Sequence, residues 1–141
     1  ASATYCQHLG EVLKSDQPLR GLWSVINNPD ATKVGLEFMA LANHNEAIRA
    51  EIASNAKKIR MLETEAITLH LKERGIEPRL SPTLVSVLTN AIARLLVQEV
   101  TLGFDMGHQE AEALVDLSLA HFEARGEFGD GIDPVVDAMI S

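Results

Sequence analysis

The chain has 141 residues, of which 46% are hydrophobic, and its formal net charge at pH 7 is -8. This length fits one domain that can bury a core of its own. Only 4% of the residues are aromatic, which favours aliphatic packing between helices over a sandwich or a barrel. The negative charge is unsuited to a phosphate-binding surface, because affinity for nucleic acid depends largely on Lys and Arg. We therefore expect this chain by itself to bind DNA weakly or not at all.

The only cysteine, Cys6, cannot form a disulfide within the chain, which is typical of proteins in a reducing cytoplasm. The nearby sequence supplies only His8 and Lys14 as cationic groups, so we expect Cys6 to be unreactive. No apolar run approaches the roughly 18 residues of a membrane span, and no signal peptide is recognisable. The sequence predicts a cytoplasmic protein without membrane contact, cofactor or metal.

The positions of apolar residues, prolines and glycines predict about six helices joined by short turns, with no strand pattern. In chain order the predicted helices cover about residues 4–14, 18–26, 29–42, 44–74, 82–102 and 107–125. Asn28 and Ser81 each precede a proline and are predicted N-caps. Asn43 and Glu46 have the offset of a capping box, and Gly75 is predicted to end the fourth helix.

The last three predicted helices differ in how much of their surface is apolar. The fourth has one stripe, predicted to face the core, made of Ile48, Ile52, Ala56, Ile59, Leu62, Ala66 and Leu69. The fifth has two apolar faces, one with Leu84, Leu88, Ala91, Leu95 and Leu102 and the other with Val85, Ile92 and Leu96. It is therefore predicted to be nearly surrounded by protein. The sixth is predicted to bury Ala111, Leu114, Val115, Ser118 and Phe122.

Within this series of helices, three stretches of sequence are distinctive, namely residues 15–23, 36–49 and 93–111. Together with the order of short, medium and very long helices, these stretches resemble the C-terminal regulatory domain of TetR-family transcriptional regulators. The resemblance covers about residues 4–125. It implies an all-α, TetR-like domain of about six helices.

The resemblance also implies how the chain is divided. Residues 1–15 would be the end of a linker helix from an N-terminal helix-turn-helix, residues 16–125 the ligand-binding and dimerisation domain, and residues 126–141 a flexible or short-helix tail. The tail is rich in Gly and then acidic, and Asp133 with Pro134 can open a short helix. The DNA-reading motif of the family has no counterpart here. We therefore expect a piece of a longer regulator that reaches DNA only through that absent half.

A homodimer is implied as well, in which the last two helices of each copy form a four-helix bundle. The predicted interface residues are Leu95, Leu102, Leu114, Val115, Ser118 and Phe122. The residue chemistry agrees, because both helices are apolar on more surface than one monomer core should need. The alternative is that both helices are simply central in the monomer.

The family's pocket for a small, mainly apolar effector lies between the long helix, its neighbours and the fifth helix. The residues mapped there are Trp23, Phe38, Met39, Met61, Glu65, Asn90 and Arg94. For the apolar members the alternative is ordinary core packing. Arg94 lies in an otherwise apolar helix, where its guanidinium needs a carboxylate, and Glu65 and Glu99 are the candidate partners. A structural ion pair and a ligand contact are both open for Arg94.

No enzyme is expected. The sequence has no Glu-x-x-His pair, zinc-protease motif, nucleophile elbow or Gly-rich phosphate loop, and metal binding by His108 and Glu112 is not expected. The predicted function is effector binding and dimerisation in a transcriptional regulator, expected to be a repressor, whose DNA affinity changes with its ligand. The alternative is a stand-alone helical carrier of small molecules, or a protein-interaction module, without a DNA role.

Overall fold

The structure, a computed structural model, describes residues 2–129, and it describes the side chains of all of these except residues 2–6, 31 and 32. This part of the chain forms six helices: α1 (Ser2–Leu13), α2 (Pro18–Ile26), α3 (Pro29–Ala42), α4 (Glu46–Glu73), α5 (Pro82–Leu102) and α6 (His108–Arg125). No strand occurs within residues 2–129, so the all-helical class is confirmed. The side chain of Cys6 and the predicted tail helix at Asp133 lie outside the described part.

Local capping chemistry sets most of the helix boundaries where the sequence predicts them. Asn28 accepts a hydrogen bond from the Asp30 backbone N–H at 3.0 Å, and the Ser81 hydroxyl accepts one from the Leu84 N–H at 3.0 Å. Both side chains therefore satisfy N–H groups that a helix start leaves without an intrahelical partner. Gly75 follows α4 with a φ of 66°, a left-handed conformation that favours glycine.

The start of α4 differs from the prediction. Its N-cap is Asn45, whose side chain accepts from the Ile48 N–H at 3.2 Å, and not Asn43. The reason lies in the preceding turn, where the His44 N–H donates to the Leu41 carbonyl at 3.1 Å and so closes the end of α3. Asn43 lies inside that turn.

The main core joins α2, α4, α5 and α6. Its buried members are Leu19, Trp23, Ile67, Leu71, Leu80, Val85, Ala93, Leu96, Val115, Leu119 and Phe122. A smaller cluster joins α1 to α2 through Leu9, Leu13, Leu22 and Val25. Helix α3 packs against both α4 and α5, yet of its described side chains only Ala42 is buried.

The face that α4 turns inward is not the predicted one along its second half. Leu62 and Leu69 are about half exposed, whereas Glu63 and His70 are buried together with Ile67. The predicted stripe is therefore wrong at Leu62 and Leu69, whereas Ala66 packs against the smaller cluster. The cause is tertiary, because both buried polar side chains find hydrogen-bond partners on other helices.

Helix α5 is likewise not surrounded within the chain, since Leu95 and Leu102 are exposed. Among the described helices it is also the one long and apolar enough to cross a membrane by length and composition, with a mean hydropathy of 1.3. A search for an unbroken apolar run does not find α5, because polar residues interrupt its sequence. A single helix of this kind is weak evidence for a membrane span, because the core helix of a soluble protein can have the same length and hydropathy.

Candidate functional site

A polar cluster lies between α4 and α5 and consists of Glu63, Ser86 and Asn90. Glu63 and Ser86 are both 0% exposed, and Asn90 is half-buried. The Ser86 hydroxyl donates a hydrogen bond to Glu63 Oε2, and Asn90 Nδ2 donates to the same oxygen at 2.9 Å. Asn90 Nδ2 also donates to the Ser86 carbonyl at 2.9 Å. Both side-chain donors thus converge on one of the two oxygens of the carboxyl group.

Local structure brings the three side chains together. Ser86 and Asn90 are four residues apart on α5 and therefore share a face. Thr64, the residue after Glu63 on α4, donates a hydrogen bond from its hydroxyl group to the Thr83 hydroxyl of α5 at 3.4 Å. These contacts align the two helices so that Glu63 lies opposite Ser86.

The second oxygen of the cluster, Glu63 Oε1, is buried and has no hydrogen-bond partner among the described residues. Leaving a buried polar atom without a partner costs about 1–3 kcal/mol. Burial raises the pKa of Glu63, because it removes water from the charged form. The hydrogen bonds from Ser86 and Asn90 and the charges of Arg60 and Arg94 lower the pKa by less.

The structure brings two of the seven predicted pocket residues to this cluster. Asn90 is bonded to Glu63, and the positive charge of Arg94 acts on the same carboxyl group. Arg94 is exposed, and within the described residues neither Glu65 nor Glu99 forms an ion pair with it. An exposed guanidinium is solvated by water, so Arg94 does not need the carboxylate partner that the sequence predicted for it.

The other five predicted pocket residues lie elsewhere. Trp23 is buried in the main core. Phe38 and Met39 on α3 and Met61 on α4 are each about half exposed, and Glu65 is exposed.

Glu63 and Ser86 were missed in the sequence reading. A signal for Glu63 exists, since it lies four residues from both Ile59 and Ile67, on the line that the structure turns inward. Ser86 gives no such signal, because a serine beside Val85 is equally compatible with a solvated position.

A second buried polar cluster ties α2, α4 and α6 together. The Glu123 carboxylate accepts from the Arg20 backbone N–H at 2.9 Å, and His70 Nε2 donates to the Glu123 carbonyl at 3.0 Å. The N-cap residue of α2, Gln17, makes no side-chain capping bond. Glu123 of α6 therefore caps α2 from a distant part of the chain. Burial raises the pKa of Glu123, and the bond from Arg20 opposes that shift.

A shallow polar cleft of about 460 Å³ lies at the start of α6, lined by Val100, Asp105, Gly107, His108, Gln109, Glu110 and Glu112. The two residues weighed as metal ligands are bonded to other groups. His108 Nε2 lies 2.7 Å from Glu99 Oε2, and Glu112 accepts from Asn27 Nδ2 at 3.3 Å. In the described part of the chain, no group of three or more His, Cys, Asp or Glu side chains could hold a metal ion.

Helices α5 and α6 each expose apolar side chains opposite their buried face. On α5 the exposed line contains Leu95 and Leu102, which are 53% and 70% exposed. On α6 it contains Leu114 and Leu117, which are 57% and 69% exposed. These are the surfaces on which a partner could pack.

Three of the six predicted interface residues are not on these surfaces. Val115 and Phe122 belong to the core of the chain, and Ser118 is half-buried. The 3.6-residue helical period explains this, because Val115, Leu119 and Phe122 form one line and Leu114 and Leu117 lie on the other side of α6. Leu114 is therefore accessible to a partner, whereas Val115 and Phe122 are buried and cannot contact one directly.

Comparison with known proteins identifies no relative of this chain. No family model matches the chain, and neither a search of curated proteins nor one of solved structures finds a match. The resemblance to TetR-family regulators in residues 15–23, 36–49 and 93–111 therefore stays a prediction.

Proposed function

We propose that this chain is the effector-binding and dimerisation domain of a TetR-family transcriptional regulator, expected to be a repressor. In that role it pairs with a second copy through α5 and α6, and a small, mainly apolar molecule binds inside each copy. The observation that carries the proposal is the apolar face that each of these two helices leaves exposed.

The line of α5 that contains the exposed Leu88, Leu95 and Leu102 has the spacing of a helix-packing seam, and its first member, Leu84, packs partly against the main core. Leu84, Leu88, Ala91, Leu95 and Leu102 follow steps of four, three, four and seven residues. Such a heptad pattern packs well against another helix but serves no purpose in water. Full burial of one leucine side chain stabilises by about 1.5–3 kcal/mol, so covering this line supports association.

A second copy of the chain is the occupant that fits these faces. Two exposed helix faces in one chain become four in a two-fold dimer, and four helices close into a bundle around one apolar centre. The same face of each copy then meets its equivalent, which leaves no open end for further growth.

The effector role is supported by the position of the Glu63 cluster. Glu63 lies on α4, while Ser86 and Asn90 lie on α5, the helix whose opposite face is proposed to form the dimer. A ligand that binds better to one arrangement of α4 and α5 would also shift the population of dimer geometries. Glu123 of α6 holds α2, and α2 packs on α1, the proposed link to a DNA reader.

The oligomeric state in solution tests this proposal. We expect sedimentation or light scattering to give a dimer, and Leu95→Glu to give a monomer with unchanged helix content. Leu69→Glu is the matched control, because Leu69 is equally exposed on α4 and outside the proposed interface, and this variant should remain a dimer. A wild-type monomer at high concentration would contradict the proposal.

The DNA role has its own test in the encoding gene. Codons for a basic helix-turn-helix directly upstream would support a regulator, and the longer protein should then bind DNA with an affinity that its ligand changes. An upstream sequence without such a motif would instead favour a stand-alone carrier or interaction module.

A further inference from the structure

We infer that Glu63 Oε1 is the hydrogen-bonding point for the ligand, and that the ligand is a small, mainly apolar molecule whose carbonyl oxygen reaches the α4–α5 junction. This inference rests on the proposed effector-binding role and adds to it the residue and the ligand chemistry.

The hydrogen bonds of the cluster determine which oxygen carries the proton. Oε2 already accepts from Ser86 and Asn90, whereas no donor reaches the buried Oε1 to stabilise a negative charge there, so the carboxyl proton belongs on Oε1. A protonated Oε1 is a donor, and no acceptor for it exists among the described side chains or backbone. A carbonyl oxygen on the ligand satisfies this donor.

The charges around the cluster argue against a cationic ligand. Arg60 and Arg94 are close enough for their positive charges to act on Glu63. A ligand ammonium group at Oε1 would be repelled by both.

Helix α3 is the element beside which such a molecule can bind. It lies against both α4 and α5, the two helices that hold the cluster. Four of its large apolar side chains, Val34, Phe38, Met39 and Leu41, are each about half exposed. Because α3 buries so few of its described side chains, these four leave apolar surface beside α4 and α5 against which an apolar ligand can pack.

The test is a titration of the 141-residue chain with three one-ring probes, followed by NMR of the backbone amides. Acetophenone offers a carbonyl oxygen, ethylbenzene has no polar group, and benzylamine is a cation. We expect acetophenone to shift the amides of Ser86 and Asn90 and to bind about tenfold more tightly than ethylbenzene, as one added hydrogen bond predicts. Benzylamine should bind most weakly.

Two substitutions at Glu63 separate the chemistry from the fold. Glu63→Leu should reduce the affinity for acetophenone to that for ethylbenzene. Glu63→Gln should keep the preference, because its amide oxygen can accept from Ser86 and Asn90 while its NH₂ group donates in place of Oε1. Glu51→Leu, an exposed change on the same helix outside the predicted pocket residues, is the matched control and should leave all three affinities unchanged.

Equal affinity for acetophenone in the wild type and in Glu63→Leu would overturn the inference, as would tightest binding of benzylamine or no binding of any probe. The wild-type probe series and Glu63→Gln decide the matter even if Glu63→Leu does not fold. Light scattering on the same samples separates the two proposals. A dimer without carbonyl preference rejects the role of Glu63 alone, whereas a monomer rejects the proposed dimerisation.

Discussion

Replacing Glu63 by glutamine should make the stability of the chain less dependent on pH. Burial raises the pKa of Glu63 above its ordinary value of 4.5, so the folded state binds more protons than the unfolded state between the two pKa values. The free energy of unfolding contributed by this group is therefore fully present below pH 4.5 and is lost as the pH rises through the folded-state pKa. Glutamine cannot ionise and removes this loss.

The size of the effect follows from the thermodynamic link between pKa and stability. Each unit by which the folded-state pKa exceeds the unfolded one costs about 1.4 kcal/mol once the group is ionised. The stability of Glu63→Gln relative to the wild type should therefore increase between acid and neutral pH. The increase should be about 1.4 kcal/mol for each unit by which the folded-state pKa of Glu63 exceeds the unfolded-state pKa. The comparison also cancels the contribution of Glu123, whose pKa is raised in the same direction.

Urea unfolding at several pH values from about 4 to 8, at one protein concentration, measures this difference. Glu65→Gln, on the exposed side of the same helix, is the control and should parallel the wild type. A constant difference between Glu63→Gln and the wild type across this range would refute the reasoning, and so would a difference that grows toward acid.

Three further substitutions test the packing and capping contacts, each by urea or thermal unfolding. Gly21→Ala should destabilise by about 1–3 kcal/mol, because the added Cβ would clash with Val12 Cγ1 between α1 and α2. Glu123→Ala should cost about 0.5–2 kcal/mol, since the Arg20 N–H at the start of α2 loses its acceptor. Ser81→Ala should cost about 1 kcal/mol through loss of the α5 cap.

The substitutions at Gly21 and Glu123 each have a control within the chain. Gly10→Ala should stabilise by up to about 1 kcal/mol, because nothing lies within 4 Å of its Cβ and alanine favours a helix. Adding Val12→Ala to Gly21→Ala should recover part of the loss if the clash is its cause. For Glu123, a glutamine keeps an acceptor oxygen and should lose less than alanine. A change of only a few tenths of a kcal/mol in Glu123→Ala would argue against capping across helices.

The helix boundaries could be predicted from the sequence because the chemistry that sets them is local. Asn28 and Ser81 cap N–H groups two or three residues away, and Gly75 supplies a positive φ directly after α4. Such contacts need no knowledge of the rest of the chain. The exception, Asn45 in place of Asn43, arose because a turn at His44 competes for the same residues.

The candidate site could not be predicted in the same way. Glu63 and His70 belong by residue type to a solvated face, and Leu62 and Leu69 to a buried one. Their positions are reversed because Ser86, Asn90 and the Glu123 carbonyl supply hydrogen bonds from helices far along the chain. The sequence by itself thus determined six helices and most of their boundaries. Only the tertiary structure decided which faces turn inward, because burial of a polar side chain depends on partners that folding brings to it.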